Sequence, residues 1–298
     1  MTDVLINPMA AELGRTNALL RGSGRHYSVR FDGPLSVKSV LAGSATWETD
    51  AGRYEVVPGA ALVLADGEEY ALEIDALRPV ETFCLFFARG FVEDARHAAT
   101  SGSAALLDAD AAPRYEVAER LHFDTPLAVV IRAAQARLAA GLPLEPSFYD
   151  AALAIAGAQD DLAARASRLP ALRASTREEL AHRVARGTAF LHASLASDVS
   201  VADAARAACL SPFHFHRLFA ALHGTTPHRY LTRLRLDHAR ALLRATERSV
   251  SDVAAACGFA STGSFTTLFT RAFGLPPARF RRNGEVPREP PALRSPHE

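Results

Sequence analysis

Two groups of side chains stand out by type and spacing. The first is Phe213, His214, His216 and Arg217; the second, about fifty positions on, is Thr262, Gly263, Ser264, Thr266, Thr267 and Arg271. Guanidinium, imidazole and hydroxyl groups donate and accept hydrogen bonds at fixed edges. Such groups on one helix face suit recognition of a patterned polar surface, not bond breaking. A run of this kind can also be an ordinary solvated helix face. Elsewhere the chain is poor in reactive constellations. Residues 1–175 hold only three His (His26, His97, His122) with no His-x-His pair, and Cys84, Cys209 and Cys257 have no Cys-x-x-Cys spacing. Hence no catalytic residue, no metal ligand and no cofactor site is assigned.

The elements that must position the two groups form a duplication. Val201, Asp203 and Ala205 recur at a shift of 49 as Val250, Asp252 and Ala254. Leu218, Phe219, Gly224, Pro227 and Tyr230 recur at a shift of 50 as Leu268, Phe269, Gly274, Pro277 and Phe280. Each copy reads as helix, turn, helix. Ser200 and Ser249 are N-caps with an Asp three residues on, an aspartate version of the capping box. Ser211 caps a helix opening with Pro212, and Gly224 and Gly274 close the second helices. Phe215, Leu218, Phe219 and Leu222 make one apolar face, and Phe265, Leu268, Phe269 and Phe273 the other. Small side chains in the first helices (Ala204, Ala205, Ala208; Ala254, Ala255) let the second cross closely. The outward faces then carry the two polar groups, in an arrangement that can enter a major groove and read base edges.

Further positions match a known pattern: Leu234-Arg235-Leu236-x-x-Ala239-x-x-Leu242-Leu243, Val253-Ala254-x-x-x-Gly258-Phe259, and Phe265-x-x-x-Phe269-x-x-x-Phe273-Gly274-x-x-Pro277. With the repeat itself, residues 176–282 resemble the DNA-binding domain of the AraC/XylS family of bacterial transcription regulators. The resemblance implies a long helix, residues 230–243, joining two units that occupy successive major-groove segments of double-stranded DNA. It places Phe213, His216 and Arg217 on base-reading sites of the first unit, and Thr262, Gly263, Ser264, Thr266 and Thr267 on the reading face of the second. Position 267, often Arg in that family, is Thr here, so the second unit is expected to read bases weakly and to contact mainly phosphate.

Charge follows the same division. The formal net charge is zero, but residues 1–175 hold 16 Lys+Arg against 23 Asp+Glu, and residues 176–283 hold 15 Arg against 7 acids. A basic segment of this size is the footprint of a polyanion partner. The single Lys, Lys38, against 32 Arg reads as coding bias. All three Cys are expected to be small core residues, consistent with a reducing cytoplasm. Neither a signal peptide nor a membrane span is apparent.

Residues 19–91 read as strands and turns: 26–31, 35–41, 45–48, 53–57, 61–65, 70–74 and 80–87, broken by Asp32-Gly33-Pro34, Asp50-Ala51-Gly52, Pro58-Gly59 and Asp66-Gly67. The expected class is α+β, with a cupin-like N-terminal β-barrel, then helices, then an all-α domain with two helix–turn–helix units. The barrel is placed at 1–110, a helical dimerisation and linker region at 111–175, the DNA-binding domain at 176–283, and a disordered Pro-rich tail at 284–298. Helices are expected over 91–100, 114–123, 126–140 and 147–165, a linker over 166–175, and a capping box at Thr176-x-x-Glu179. Trp47, Tyr54 and Tyr70 are either core aromatics or the lining of a ligand cavity, with Arg25 and His26 as weaker candidates. The family resemblance implies a homodimer, a possible small-molecule effector and, for an activator, contact with RNA polymerase. Alternatives are a barrel enzyme tethered to DNA and an effector-independent architectural protein. The first lacks the two-His-and-Glu metal cluster a cupin enzyme needs.

Overall fold

The computed structural model describes residues 4–100, 121–123, 125–169 and 174–283. Its N-terminal half is one eight-stranded sheet of β1 (Leu5–Ile6), β2 (Ala18–Gly33), β3 (Ser36–Ala42), β4 (Ala45–Thr49), β5 (Gly52–Val56), β6 (Ala60–Leu64), β7 (Glu68–Phe86) and β8 (Leu121–Phe123). The path runs β1-β2-β7-β3-β6-β8, with the β4–β5 hairpin attached to β7. β2 and β7 are long and antiparallel, and their register shifts between Gly24 and His26. On one side of that shift β7 pairs with β3 through residues 81–86. On the other it pairs with β4 through residues 70–73. A bulge increases local twist and bends the strands, so the two ends of this ribbon fold toward each other around an apolar interior.

Two expectations fail here. Residues 70–74 and 80–87 are not separate strands but one, β7, which continues through Pro79. Pro79 has no N–H to donate, and it falls where residues 76–79 lie outside the paired register, so the ladder loses nothing. The helix expected over 114–123 is not formed at its end: Leu121–Phe123 pairs antiparallel with β6. Its preceding residues lie outside the described part, as do the tail 284–298 and the centre of the expected linker.

Strand parity sorts the core. Side chains alternate across a strand with a period of two. Val40, Leu62, Leu64, Cys84 and Phe86 join Trp47, Tyr54, Tyr70 and Ile74 in the interior. Val37, Ala61, Val63, Phe83 and Leu85 point the other way, under α1 (Phe91–Thr100), α2 (Pro126–Ala139) and α3 (Glu145–Ala166). Thr125 caps α2, with Pro126 in its first turn. Phe148 of α3 meets Phe87 edge-on with ring centroids 5.5 Å apart. Burial of each such ring contributes about 1.5–3 kcal/mol.

The C-terminal half is helical: α4 (Ala174–Ala193), α5 (Val201–Ala207), α6 (Pro212–His223), α7 (Pro227–Ala245), α8 (Val250–Ala256), α9 (Thr262–Phe273) and α10 (Pro277–Asn283). α4 already begins at Ala174, so Thr176 lies inside it and caps nothing. Glu179 instead pairs with Arg183 one turn on, at 2.7 Å. The first unit, α5–α6, packs on Val184 and Leu191 of α4. The second unit, α8–α9, packs on Leu234, Ala239 and Leu242 of α7, and its core is continuous with the sheet interior. The two halves meet at several points. Arg248, just before α8, holds Glu55 of β5 with two bonds of 2.8 and 3.2 Å. His238 of α7 lies 5.7 Å from the Phe123 ring of β8. His192 of α4 accepts from the Leu121 amide at 3.2 Å, leaving its other ring nitrogen to donate to the Tyr230 hydroxyl at 2.8 Å.

Candidate nucleic-acid interface

Each unit is fixed by short-range chemistry. Ser200 and Ser249 accept from the amides of Asp203 and Asp252, whose carboxylates return the bond, closing both capping boxes. The hydrogen bonds to Ser200, helped by Arg206, hold the Asp203 carboxyl down at about 2. Ser211 and Ser261 cap α6 and α9 in the same way. Gly224 and Gly274 end these helices in the left-handed conformation, at φ of 68° and 77°. The α5–α6 and α8–α9 turns also need one left-handed residue each. It is Gly258 in the second unit (φ 71°) and Cys209 in the first (φ 51°). These positions are equivalent at the shift of 49. Cys209 is therefore exposed, not in the core as its sequence neighbourhood suggested. The core position is the one before it: Ala208 in the first unit and Cys257 in the second, both fully buried. Cys84 is buried as expected.

The apolar faces of α6 and α9 are spent on packing. Phe215 and Phe219 stack at 5.4 Å, and Phe265 and Phe269 at the same distance. Phe215 also fills the space beside Gly187 of α4 where a Cβ would otherwise sit. That fixes which face turns outward. Phe213 is 78% exposed, His216 and Arg217 are exposed, and His214 is half-buried. Arg217 has no hydrogen bond or ion pair among the described residues. On α9, Thr262, Gly263, Ser264, Thr267 and Arg271 are exposed, and Thr266 is partly so. The Thr266 and Thr267 hydroxyls donate to the carbonyls of Thr262 and Gly263, at 2.8 and 3.1 Å. In that rotamer their oxygens present lone pairs outward, so they accept from an incoming donor. The structure thus gathers the sequence-selected residues into two exposed clusters, one per unit.

Not all of the basic residues share this role. Arg235 donates to the carbonyls of Leu195 and Ser197, at 2.9 and 2.6 Å, and pins α7 to the chain before α5. Arg233 and Arg240 lie over the Phe273 ring at 5.4 and 4.8 Å, and Arg244 over Phe280 at 5.0 Å. These four hold the second unit to α7. Two others were passed over in the sequence. Arg229 and Arg279 are related by the shift of 50, and both are exposed in the first turn of the helix that follows each unit. The repeat itself was the signal that could have found them.

The sheet interior opens into a cavity of about 470 Å³. Trp47 and Tyr70 line it, and His26 sits at its rim, 2.9 Å from Asp75. Tyr54 is buried in the interior cluster without lining the cavity, and Arg25 lies outside it. Among the described residues, no three His, Cys, Asp or Glu side chains are grouped as a metal site, and no helix is long and apolar enough to cross a membrane.

Comparison with known proteins bears on the helical half alone. Residues 204–283 match the family model described as a helix-turn-helix domain. The chain is 37% identical to the probable transcriptional regulator LumQ of Photobacterium leiognathi, over 31% of this chain and 37% of that protein. It is 42% identical to the HTH-type transcriptional activator RhaS of Enterobacter sp. strain 638, over 33% of this chain and 35% of that protein. A solved transcriptional regulator with an AraC-type DNA-binding domain from Chromobacterium violaceum is 29% identical, covering 37% of this chain and 95% of that one, with a TM-score of 0.32. The chain spans little more than a third of the length of the curated relatives it matches.

Proposed function

We propose that this chain, whose C-terminal helices are of the AraC/XylS helix–turn–helix type, is a sequence-specific transcription regulator that reads double-stranded DNA with α6 and α9. One observation carries this reading. The repeat leaves an outward polar cluster on each second helix while the neighbouring arginines are consumed in packing. Phe213, His216 and Arg217 are the base readers of the first unit. Arg217 suits a bidentate guanine contact and Phe213 an apolar contact with a thymine methyl. Thr262, Ser264, Thr266 and Thr267 meet the second groove segment, with Gly263 allowing close approach. His214, Arg271, Arg229 and Arg279 are the phosphate contacts. α7, with 19 residues, is about 28 Å long at 1.5 Å per residue. That is of the order of the ~34 Å between successive groove segments on one DNA face.

The N-terminal sheet is the sensor of a small-molecule effector. Trp47 lines the cavity, pairs with Tyr54 across the β4–β5 hairpin, and the next residue, Glu55, holds Arg248 at the start of the second unit. A ligand that moves Trp47 therefore acts through one hairpin on the presentation of α9. Val129, Leu142 and Tyr149, exposed apolar side chains on and between α2 and α3, are the contact through which two copies form a homodimer.

The test is selection of genomic DNA fragments by the full-length protein at about 0.15 M salt, with Arg217→Ala in parallel. One enriched motif, bound by Arg217→Ala about 1–3 kcal/mol more weakly with random DNA unaffected, supports base reading. Equal losses on specific and random DNA reduce Arg217 to a phosphate contact. No motif at all overturns sequence-specific recognition.

A further inference from the structure

The chain's one lysine is in an unusual place. Lys38 is on β3, on the same inward parity as Val40, between Leu62 of β6 and Cys84 of β7. It is 1% exposed and lines the cavity. Its ammonium lies 3.7 Å over the Phe86 ring and 4.3 Å over the Tyr70 ring, and it donates to the Tyr70 hydroxyl at 2.7 Å. No carboxylate is among the cavity's described lining residues. The Cys84 thiol beside it is pushed up by burial and so stays neutral, and Tyr70 is raised for the same reason. The two other basic groups at the cavity, Arg21 and His26, are at the rim and already face Glu81 and Asp75. Burial without a counter-ion lowers the Lys38 pKa to about 7. A buried cation left in this state is destabilising, and a methionine of similar length would pack against the same rings at lower cost. The arrangement gains its counter-ion when an anion enters: the ammonium has two further donors, and the Tyr70 hydroxyl proton is available beside it.

We propose that this cavity is the binding site of a small apolar carboxylic acid, its carboxylate taken by Lys38 and Tyr70 and its hydrocarbon by Leu20, Phe31, Trp47, Leu72 and Phe86. The size fits: ligand pockets run from about 300 to 1,000 Å³, and this one is about 470 Å³ with mainly apolar walls. The ammonium at the wall fixes the orientation of the acid, and Trp47 sits where the ligand body meets the hairpin that leads to Arg248. This deepens the sensor reading and rests on it.

The experiment is calorimetric titration of the full chain with octanoate and 4-phenylbutyrate and with their primary amides, on the wild type, Lys38→Met and Tyr70→Phe, followed by operator binding with and without each acid. At least one acid is expected to bind the wild type about ten- to a hundredfold more tightly than its amide, as a charge-assisted hydrogen bond implies. Lys38→Met abolishes that preference and leaves amide affinity unchanged. Tyr70→Phe, which keeps the ring against Phe31, weakens the acid severalfold and serves where Lys38→Met does not fold. Equal affinity for acid and amide, or a preference that survives Lys38→Met, overturns the carboxylate site while leaving the cavity a sensor of neutral ligands. Acid binding that leaves operator affinity unchanged keeps the site and overturns the sensor reading. Absence of binding by any of the four compounds overturns both.

Discussion

Replacing Gly258 by Ala tests whether the two helix–turn–helix units are held by the turn geometry described above. Gly258 has φ 71°, and a Cβ there would stand 2.9 Å from the Leu195 carbonyl oxygen and 2.9 Å from the Arg235 guanidinium. The left-handed backbone alone costs an alanine about 1–2 kcal/mol. Restriction of the unfolded chain returns about 0.4–1 kcal/mol. The Cβ must also displace Arg235 from its bonds to Leu195 and Ser197, which are charge-assisted but half in solvent. We allow about 1–2 kcal/mol for that loss. The expected net cost is about 2–3 kcal/mol. Cys209 supplies the control, because it already carries the left-handed penalty in the first unit: Cys209→Gly should be neutral or stabilising by up to about 1 kcal/mol. Urea unfolding followed by far-ultraviolet circular dichroism reports the helices. The fluorescence of Trp47, the chain's one Trp, reports the sheet interior. Gly258→Ala should lower the helical transition and weaken operator binding, because α9 is presented by this turn. If Gly258→Ala stays within about 0.5 kcal/mol of wild type while Cys209→Gly destabilises, the two turns do not share the geometry and the reasoning fails.

Other consequences can be measured directly. Arg229→Ala and Arg279→Ala should each reduce the slope of log K against log salt by about 0.9 without changing the preferred motif; a changed motif would make them base readers. His238 is buried, with Nε2 unpartnered among the described residues, and burial chiefly lowers its pKa to about 4, with Glu55 opposing and Arg248 assisting. The unfolded chain takes up this proton below about pH 6.5 while the folded one does not. Stability from this group is therefore full above pH 6.5 and is lost as pH falls toward 4, by on the order of 2–3 kcal/mol. His238→Phe should remove that part of the slope, and an unchanged acid profile would refute the assignment. Glu55→Gln, which breaks a half-exposed ion pair, should cost under about 1 kcal/mol yet speed amide exchange in α8; unchanged protection there would mean the sheet does not hold the second unit through Arg248.

What was legible in the sequence was local. Capping boxes, the Pro at the start of α6, the glycines that end α6 and α9, and the Phe and Leu faces all act within one or two turns, so residue type and spacing were enough. The duplication fixed which helix faces turn outward, and hence the two polar clusters. The structure decided what depends on residues far apart in the chain. Residues 70–86 make a single strand because β2 lies beside them along their whole length and a bulge absorbs Pro79. Leu121–Phe123 is a strand because β6 offers it an edge. The one-residue offset between Cys209 and Cys257 exposes the first and buries the second, a difference visible only once each turn's left-handed residue is known. The arginines of α7 look like part of a basic surface until the rings of Phe273 and Phe280 come to lie beneath them. Lys38 reads as an accident of composition along the chain. Strand parity turns it inward, and only the fold of the sheet, bringing Tyr70, Phe86 and Trp47 around it from distant strands, makes it the one cation inside a cavity whose described walls hold no acid.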